Sequence, residues 1–482
     1  GPSPRGQEPD PGRRPGRLVG PGPRTAGARL AAGPLAGAAG GAIQGRGRTG
    51  GGAPGYAMHV HDDTSTHPGP DGFTGKGLGA GGPDLDVAGI AGAGWRILEG
   101  EVSLPVAVLR DSALHHNLDW MRRFVAAYGV ELAPHGKTTM SPELFAMQLD
   151  AGAWGITLAT APQVRDGYRH GVRRVLMANQ LVDRANMAII ASLLADPGFE
   201  FCCLVDSAAN AGALGAFSAG PGRRVRLLLG GGVAGGRTGV RDEAQVREVV
   251  AAVARWPQSL ALVGVETYEG VLKDEAGVRA LLKRTVATVQ ALRADGAFAE
   301  PRVLLSGAGS AWYDVVAEEF AGLARDPGVR VLLRPGCYLT HDVGAYREAD
   351  ARIHAANPVA RRMAEGLRPA LQLWACVQSR PEPGRAIVGL GKRDAAFDAG
   401  LPLPALRYRA GDGAPRAVPG HWRLGAMMDQ HAFLELEAGD DLQVGDLLCF
   451  DISHPCLTFD KWRHLLRVDD AWQVTGVVRT WF

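Results

Sequence analysis

The chain has 482 residues, 46% hydrophobic and 21% charged, with a formal net charge of +2 at neutral pH. That is enough mass for a large core and a second domain, and the near-neutral balance gives no electrostatic reason to expect nucleic acid as a partner. No uninterrupted apolar run is long enough to span a bilayer, and six cysteines (Cys202, Cys203, Cys337, Cys376, Cys449 and Cys456) in so long a chain suit reduced thiols in the cytoplasm better than a disulfide framework.

Residues 1–57 are built almost entirely from Gly, Pro, Ala and Arg, without periodicity. Such a stretch cannot offset the entropy of ordering, and residues 1–90 are expected to form a disordered extension. The first methionine is Met58, and the functional protein is expected to start there.

Regular patterning begins near Trp95. Eight apolar runs then alternate with helix-like segments: VELAPHGK, GITLATA, RVLMANQLV, FCCLVDS, VRLLLGGG, LVGVETYEG, RVLLSGAGS and RVLLRPGCY. Continuous rather than alternating apolar runs mark strands buried on both faces. Eight strand-helix units predict an α/β fold, a (β/α)8 barrel over residues 91–365, with an open doubly wound sheet as the alternative. From about Pro369 the runs become β-like and are separated by Gly, Pro and Asp turns. Residues 366–482 are expected to form a smaller β domain.

Barrel enzymes place their chemistry where strands end. The eight ends carry Lys137, Thr160, Asn179, Asp206, a glycine cluster, Tyr268, Ser306 and Arg334-Pro335-Gly336, and His135 lies two residues before Lys137. An isolated lysine is more often a solvated turn residue. The seventh and eighth ends change the balance. Ser306, Gly307, Gly309 and Ser310 in SGAGS, with Gly336, Cys337 and Tyr338 in RPGCY, make two small turns of the kind that cradle phosphate. A phosphate site beside a strand-end lysine suggests pyridoxal phosphate held as a Schiff base, with a simple Schiff-base aldolase as the competing reading. GGGVAGG at 230–236 matches a dinucleotide-binding pattern only weakly, since no helix follows at once, and reads as a loop presenting Arg237.

In the β domain, SHPCLT sets His454 and Cys456 two apart. An extended backbone would put both on one face, and imidazole with thiolate favours Zn2+. For the pair alone, a buried cysteine beside a hydrogen-bonded histidine is the commoner explanation.

Together these motifs resemble the D-serine dehydratase and D-threonine aldolase family, relatives of alanine racemase with a pyridoxal-phosphate barrel and a β domain. The resemblance runs from about residue 100 to the end. It implies that Lys137 in PHGKTT holds the cofactor and that Arg237 in GGRTGV lies near its phenolic oxygen. It implies that SGAGS and RPGCY bind its phosphate, and that His454 and Cys456 hold the metal. Aldolase members usually carry His-x-Asp and dehydratases His-x-Cys, so Cys456 favours dehydration. The implied activity is β-elimination on a D-β-hydroxy amino acid such as D-serine or D-threonine, giving a 2-oxo acid and ammonia. Retro-aldol cleavage to glycine and an aldehyde is the first alternative, and a non-catalytic cofactor-binding protein the second. The family also implies a homodimer and Tyr268 beside the cofactor, although a core tyrosine fits that position nearly as well. Two features depart from the pattern. The lysine motif continues Thr138-Thr139-Met140, and the run LLLGGG ends without the expected acidic residue. GKRD (391–394) and DQH (429–431) are family-like without an assigned role, His431 being a candidate substrate-side group.

Overall fold

A computed structural model of the protein describes residues 75–80, 84–218 and 224–482. Residues 1–74 lie outside the described residues, and so does Met58 as an expected start. The expected extension reaches order before residue 90. Lys76 pairs with Asp394, and a helix at Val87–Gly92 buries Ile90 completely. Leu78 and Ile90 join Trp95, Val108 and Trp472 in one apolar cluster, and that burial is what orders the segment.

All eight apolar runs become strands of one parallel sheet: β1 (Glu131–Leu132), β2 (Ile156–Leu158), β3 (Arg174–Gln180), β4 (Glu200–Val205), β5 (Val225–Gly231), β6 (Leu260–Thr267), β7 (Val303–Gly307) and β8 (Val329–Leu333). Their hydrogen-bonded order is β1-β8-β7-β6-β5-β4-β3-β2. The remaining gap is bridged where His135 pairs in parallel with Thr157 and the Trp154 N–H donates to the Leu132 carbonyl at 2.7 Å. The sheet therefore closes into a barrel, and the open-sheet alternative falls. Alternation of side chains explains why the runs are apolar throughout. Leu176, Cys202, Leu204, Leu228, Val263 and Leu304 form a separate internal cluster, while Val175, Cys203, Leu227, Leu262 and Leu305 pack in the larger core with the helices.

Several strand ends serve the helices that follow. Thr160, Asp183, Ser207, Asp242 and Asp274 each accept an N–H from three residues further on, the usual device for satisfying a helix's first donors. Thr160 is thus a cap.

The second sheet is mostly antiparallel and draws on both ends of the barrel segment. Val106–Arg110 pairs antiparallel with Leu371–Glu382 and parallel with His464–Val468. A strand from before the barrel therefore sits in the sheet expected from residues 366–482 alone. VAVLR is as uniformly apolar as a barrel strand because it too is covered on both faces. Among the described residues no helix is long and apolar enough to cross a membrane.

Gly264 in β6 has no room for a side chain, since a Cβ there would collide with the Leu304 carbonyl. Gly264→Ala is expected to lower stability by about 1–3 kcal/mol. Urea unfolding should show a lower midpoint with an unchanged slope.

Candidate active site

β1 is short because the run leaves the sheet at once. A single 3-10 turn at Gly136–Thr138 carries Lys137 outward, exposed at the barrel mouth, before the helix Pro142–Asp150 begins. Gly136 permits the turn to lie against Phe145 and Ile156, which a Cβ would approach to 2.7 and 2.8 Å. Met140 is held at a φ of 40°, in a region that side chains avoid, while its carbonyl accepts the Trp481 N–H at 2.9 Å. Met140 is one of the residues that depart from the family pattern.

His135 points into the same space. Its Nδ1 is buried without a hydrogen-bond partner. Burial, then the charges of Lys137 and Arg334, hold the ring well below the ordinary imidazole range, so it is neutral.

Arg237 and Tyr268 meet, with the guanidinium carbon 4.5 Å from the ring centre. The Arg237 loop is tied down by Asp206, whose Oδ2 accepts from the Gly239 N–H and from Gln180 Nε2, each at 2.9 Å. The acid expected at the end of β5 comes instead from the neighbouring strand β6. Glu266 Oε2 would lie 3.8 Å from a Cβ on Gly230, and Glu266 forms a buried ion pair with Arg334, their side chains 5% and 3% exposed. A lone carboxylate inside the apolar run LVGVET was the only sequence signal for it.

The two glycine turns behave differently. In SGAGS, the N–H groups of Ala308 and Gly309 donate to the buried Glu269 carboxylate at 3.1 and 2.6 Å. Burial pushes that carboxyl up, against the pull of the backbone donors. Ser306 donates to the Leu332 carbonyl within the sheet, and Gly307 faces Val316 and Phe320 of the helix Tyr313–Ala324. Tyr338 is core, its hydroxyl accepting from Gln148 Nε2 at 3.1 Å. Ser310, Gly336 and Cys337 do converge. Ser310 Oγ accepts the N–H groups of Gly336 and Cys337 at 3.1 and 3.0 Å. A Cβ on Gly336 would stand 2.5 Å from Thr138 Oγ1, so this turn abuts the lysine turn directly.

Pyridoxal phosphate fits these groups. An exposed amine, two backbone N–H groups with a hydroxyl, and the unpartnered buried atoms His135 Nδ1, Thr139 Oγ1 and Arg334 Nε lie on the lysine turn, the RPGCY turn and the residues beside them.

The metal pair is not the extended dipeptide expected. Pro455 is helical, and Cys456 opens a short helix, Cys456–Phe459. His454 Nδ1 lies 2.8 Å from Asp398 Oδ2. Cys456 Sγ is 3.5 Å from Thr138 Oγ1 and 3.8 Å from Cys337 Sγ. The pair thus lies against the lysine turn of its own chain. The Cys337 thiol, with His454 and Thr138, pulls Cys456 down to about 4, whereas Cys337 itself is pushed up by the same contact and by burial. The His454 ring is raised to about 9 by Cys456 and Asp398. Among the described residues no three His, Cys, Asp or Glu side chains already meet as a metal site. The chemistry of the donors, thiolate and imidazole with an orienting carboxylate, suits zinc. Tyr346, which sequence reasoning missed, also borders this cluster, its hydroxyl pushed up first by Cys337.

GKRD and DQH bind one another at the surface. The Arg393 N–H donates to the Asp429 carbonyl at 3.0 Å, and His431 is exposed. Asp394 accepts the Gly391 N–H and binds Lys76, which is a structural role.

A closed barrel with a lysine at its mouth and an antiparallel sheet drawn from both flanks is the alanine-racemase-like architecture. An alanine-racemase-like protein from Idiomarina loihiensis matches with a TM-score of 0.61 at 15% identity, over 80% of this chain and 98% of its own. D-threonine aldolase from Filomicrobium marinum matches with a TM-score of 0.65 at 22% identity, over 79% and 95% of the two chains. Residues 370–468 match the family described as a putative serine dehydratase domain. D-threonine aldolase of an Arthrobacter species is 25% identical over 393 residues, 78% of this chain and 93% of that one. D-threo-3-hydroxyaspartate dehydratase of Delftia sp. (strain HT23) is 31% identical over 202 residues, 40% of this chain and 52% of that one. The chain is thus similar over most of its length to a D-threonine aldolase and in part to a D-threo-3-hydroxyaspartate dehydratase, both lyases, and it has the fold of the alanine-racemase-like proteins.

Glu266→Gln should leave the Arg334 charge buried without a counter-charge. A loss of about 3–5 kcal/mol in denaturant unfolding is expected.

Proposed function

We propose that the protein dehydrates a D-β-hydroxy amino acid such as D-serine or D-threonine to a 2-oxo acid and ammonia, using pyridoxal phosphate and zinc. The observation that carries this reading is Cys456 lying 3.5 Å from Thr138, the neighbour of Lys137. A leaving hydroxyl and a proton-accepting amine must act on adjacent carbons, and this contact brings their two attendants together.

Lys137 Nζ would hold the cofactor, be released when the substrate amine replaces it, and accept the proton from Cα. The exposure of Lys137 at the mouth leaves that amine free to do both. Ser310 Oγ and the N–H groups of Gly336 and Cys337 would bind the phosphate, and the neutral His135 ring adds no further positive charge beside the amine. His454 and Cys456 would hold the zinc. When bound, pyridoxal phosphate supplies an electron sink for the charge left at Cα, and zinc supplies a Lewis acid for the departing hydroxyl.

The relatives support this at a coarser level, as D-amino acid lyases. Solved structures of D-threo-3-hydroxyaspartate dehydratase include a histidine-to-alanine variant and, two positions on, a cysteine-to-alanine variant in a metal-free form. That separation is the separation of His454 and Cys456. Retro-aldol cleavage is the second reading, favoured by the aldolase relative that aligns over most of both chains. The thiolate ligand is what favours dehydration here. The family resemblance is the basis for a homodimer, and the free thiols for a cytoplasmic setting.

Incubation with D-threonine should yield 2-oxobutyrate and ammonia, and a chelator should suppress the yield. Glycine and acetaldehyde would instead establish the aldolase. Cys456→Ser should lose nearly all turnover, by at least a hundredfold, while the visible absorbance of the bound cofactor persists. Unchanged turnover would remove the metal from the reaction.

A further inference from the structure

We propose that Cys337 is a third protein ligand of the metal, completing a two-thiolate, one-imidazole site with Cys456 and His454. The inference rests on the zinc reading above and extends it to a residue that sequence reasoning placed only at the phosphate.

Catalytic zinc is ordinarily held by three protein ligands with one position left open, and a His-x-Cys pair is one ligand short. The structure supplies a candidate for the missing one. Cys337 and Cys456 are 119 residues apart in sequence, and their sulfurs stand 3.8 Å apart. Two thiolates on one tetrahedral zinc, each at about 2.3 Å, would stand about 3.8 Å apart. A disulfide would need the sulfurs at about 2.0 Å.

The orientation of Cys337 agrees. Its backbone N–H is directed to Ser310 at the phosphate turn, while its side chain is directed to Cys456 and Thr138 of the lysine turn. One residue could therefore serve cofactor through its backbone and metal through its sulfur. His454 is prepared in the usual way. Asp398 holds its Nδ1 at 2.8 Å, which leaves Nε2 as the ligating nitrogen and fixes the ring. His454 already hydrogen-bonds Cys456, and since no three such side chains yet form a metal site among the described residues, closure requires the three donors to draw together around the ion. The fourth position would remain for the substrate hydroxyl or water.

X-ray absorption at the zinc edge of the cofactor-loaded enzyme counts the sulfurs directly. Two sulfurs at about 2.3 Å are expected in the unchanged protein and one in Cys337→Ser. Zinc affinity in the variant, read by chelator competition, should fall at least tenfold while the cofactor absorbance is retained. One sulfur in the unchanged protein overturns the proposal and leaves His454 and Cys456 as the metal pair. Two sulfurs that persist in Cys337→Ser overturn it as well. No sulfur at the zinc in the unchanged protein would refute the zinc reading itself. Because the first measurement needs no substitution, a folding failure of the variant would not spare the proposal.

Discussion

The turn that carries Lys137 is fastened from the far end of the chain, and the rest of the site depends on that fastening. Glu143 accepts the Arg479 Nε at 2.8 Å and its N–H at 3.1 Å, and the Trp481 N–H reaches the Met140 carbonyl. Cys456 touches Thr138. A strand end in a barrel would otherwise be a loop free to move. Here the β domain clamps it on one side, and the RPGCY turn closes on it from the other, with Gly336 so near Thr138 that no side chain fits between. The departure at Met140 acquires a physical meaning: its unfavourable backbone angle is held by the β domain.

Charge is distributed around this clamp in a consistent way. Lys137, Arg334 and Arg237 all lie near enough to act on His135, while Glu266, Glu269 and Asp206 are each committed to a structural partner. Arg334 is neutralised by Glu266, and Glu269 occupies the backbone donors of SGAGS. The Gly336 and Cys337 N–H groups are turned instead to the neutral Ser310 hydroxyl. Burial and the positive charges near His135 keep its ring neutral, so one fewer cation crowds Lys137.

The barrel was legible because its physical cause is local. Strands covered on both faces must be apolar at every position, and LLLGG or VRVLL carries that requirement in a few residues. Lys137 and Tyr268 were legible as strand-end positions, Arg237 as a loop position and Cys456 as one of a close pair. Three things were not. Val106–Arg110 has the same apolar texture as a barrel strand, and only its partners reveal which sheet it joins. The acid missing from LLLGGG was supplied across the sheet by Glu266, a pairing that depends on register rather than on spacing along the chain. The division of labour between the two glycine turns depended on Glu269, a residue that looks like an ordinary charged turn position in sequence and is in fact fully buried.

The central claim is that Lys137, on the turn clamped between RPGCY and the β domain, bears the cofactor. Reduction of the cofactor-loaded enzyme with borohydride, followed by proteolysis and mass spectrometry, fixes the pyridoxyl group to the residue that held it. The modification is expected on the peptide containing Lys137 and should be lost in Lys137→Ala. A pyridoxyl group on any other lysine of the unchanged protein would contradict it.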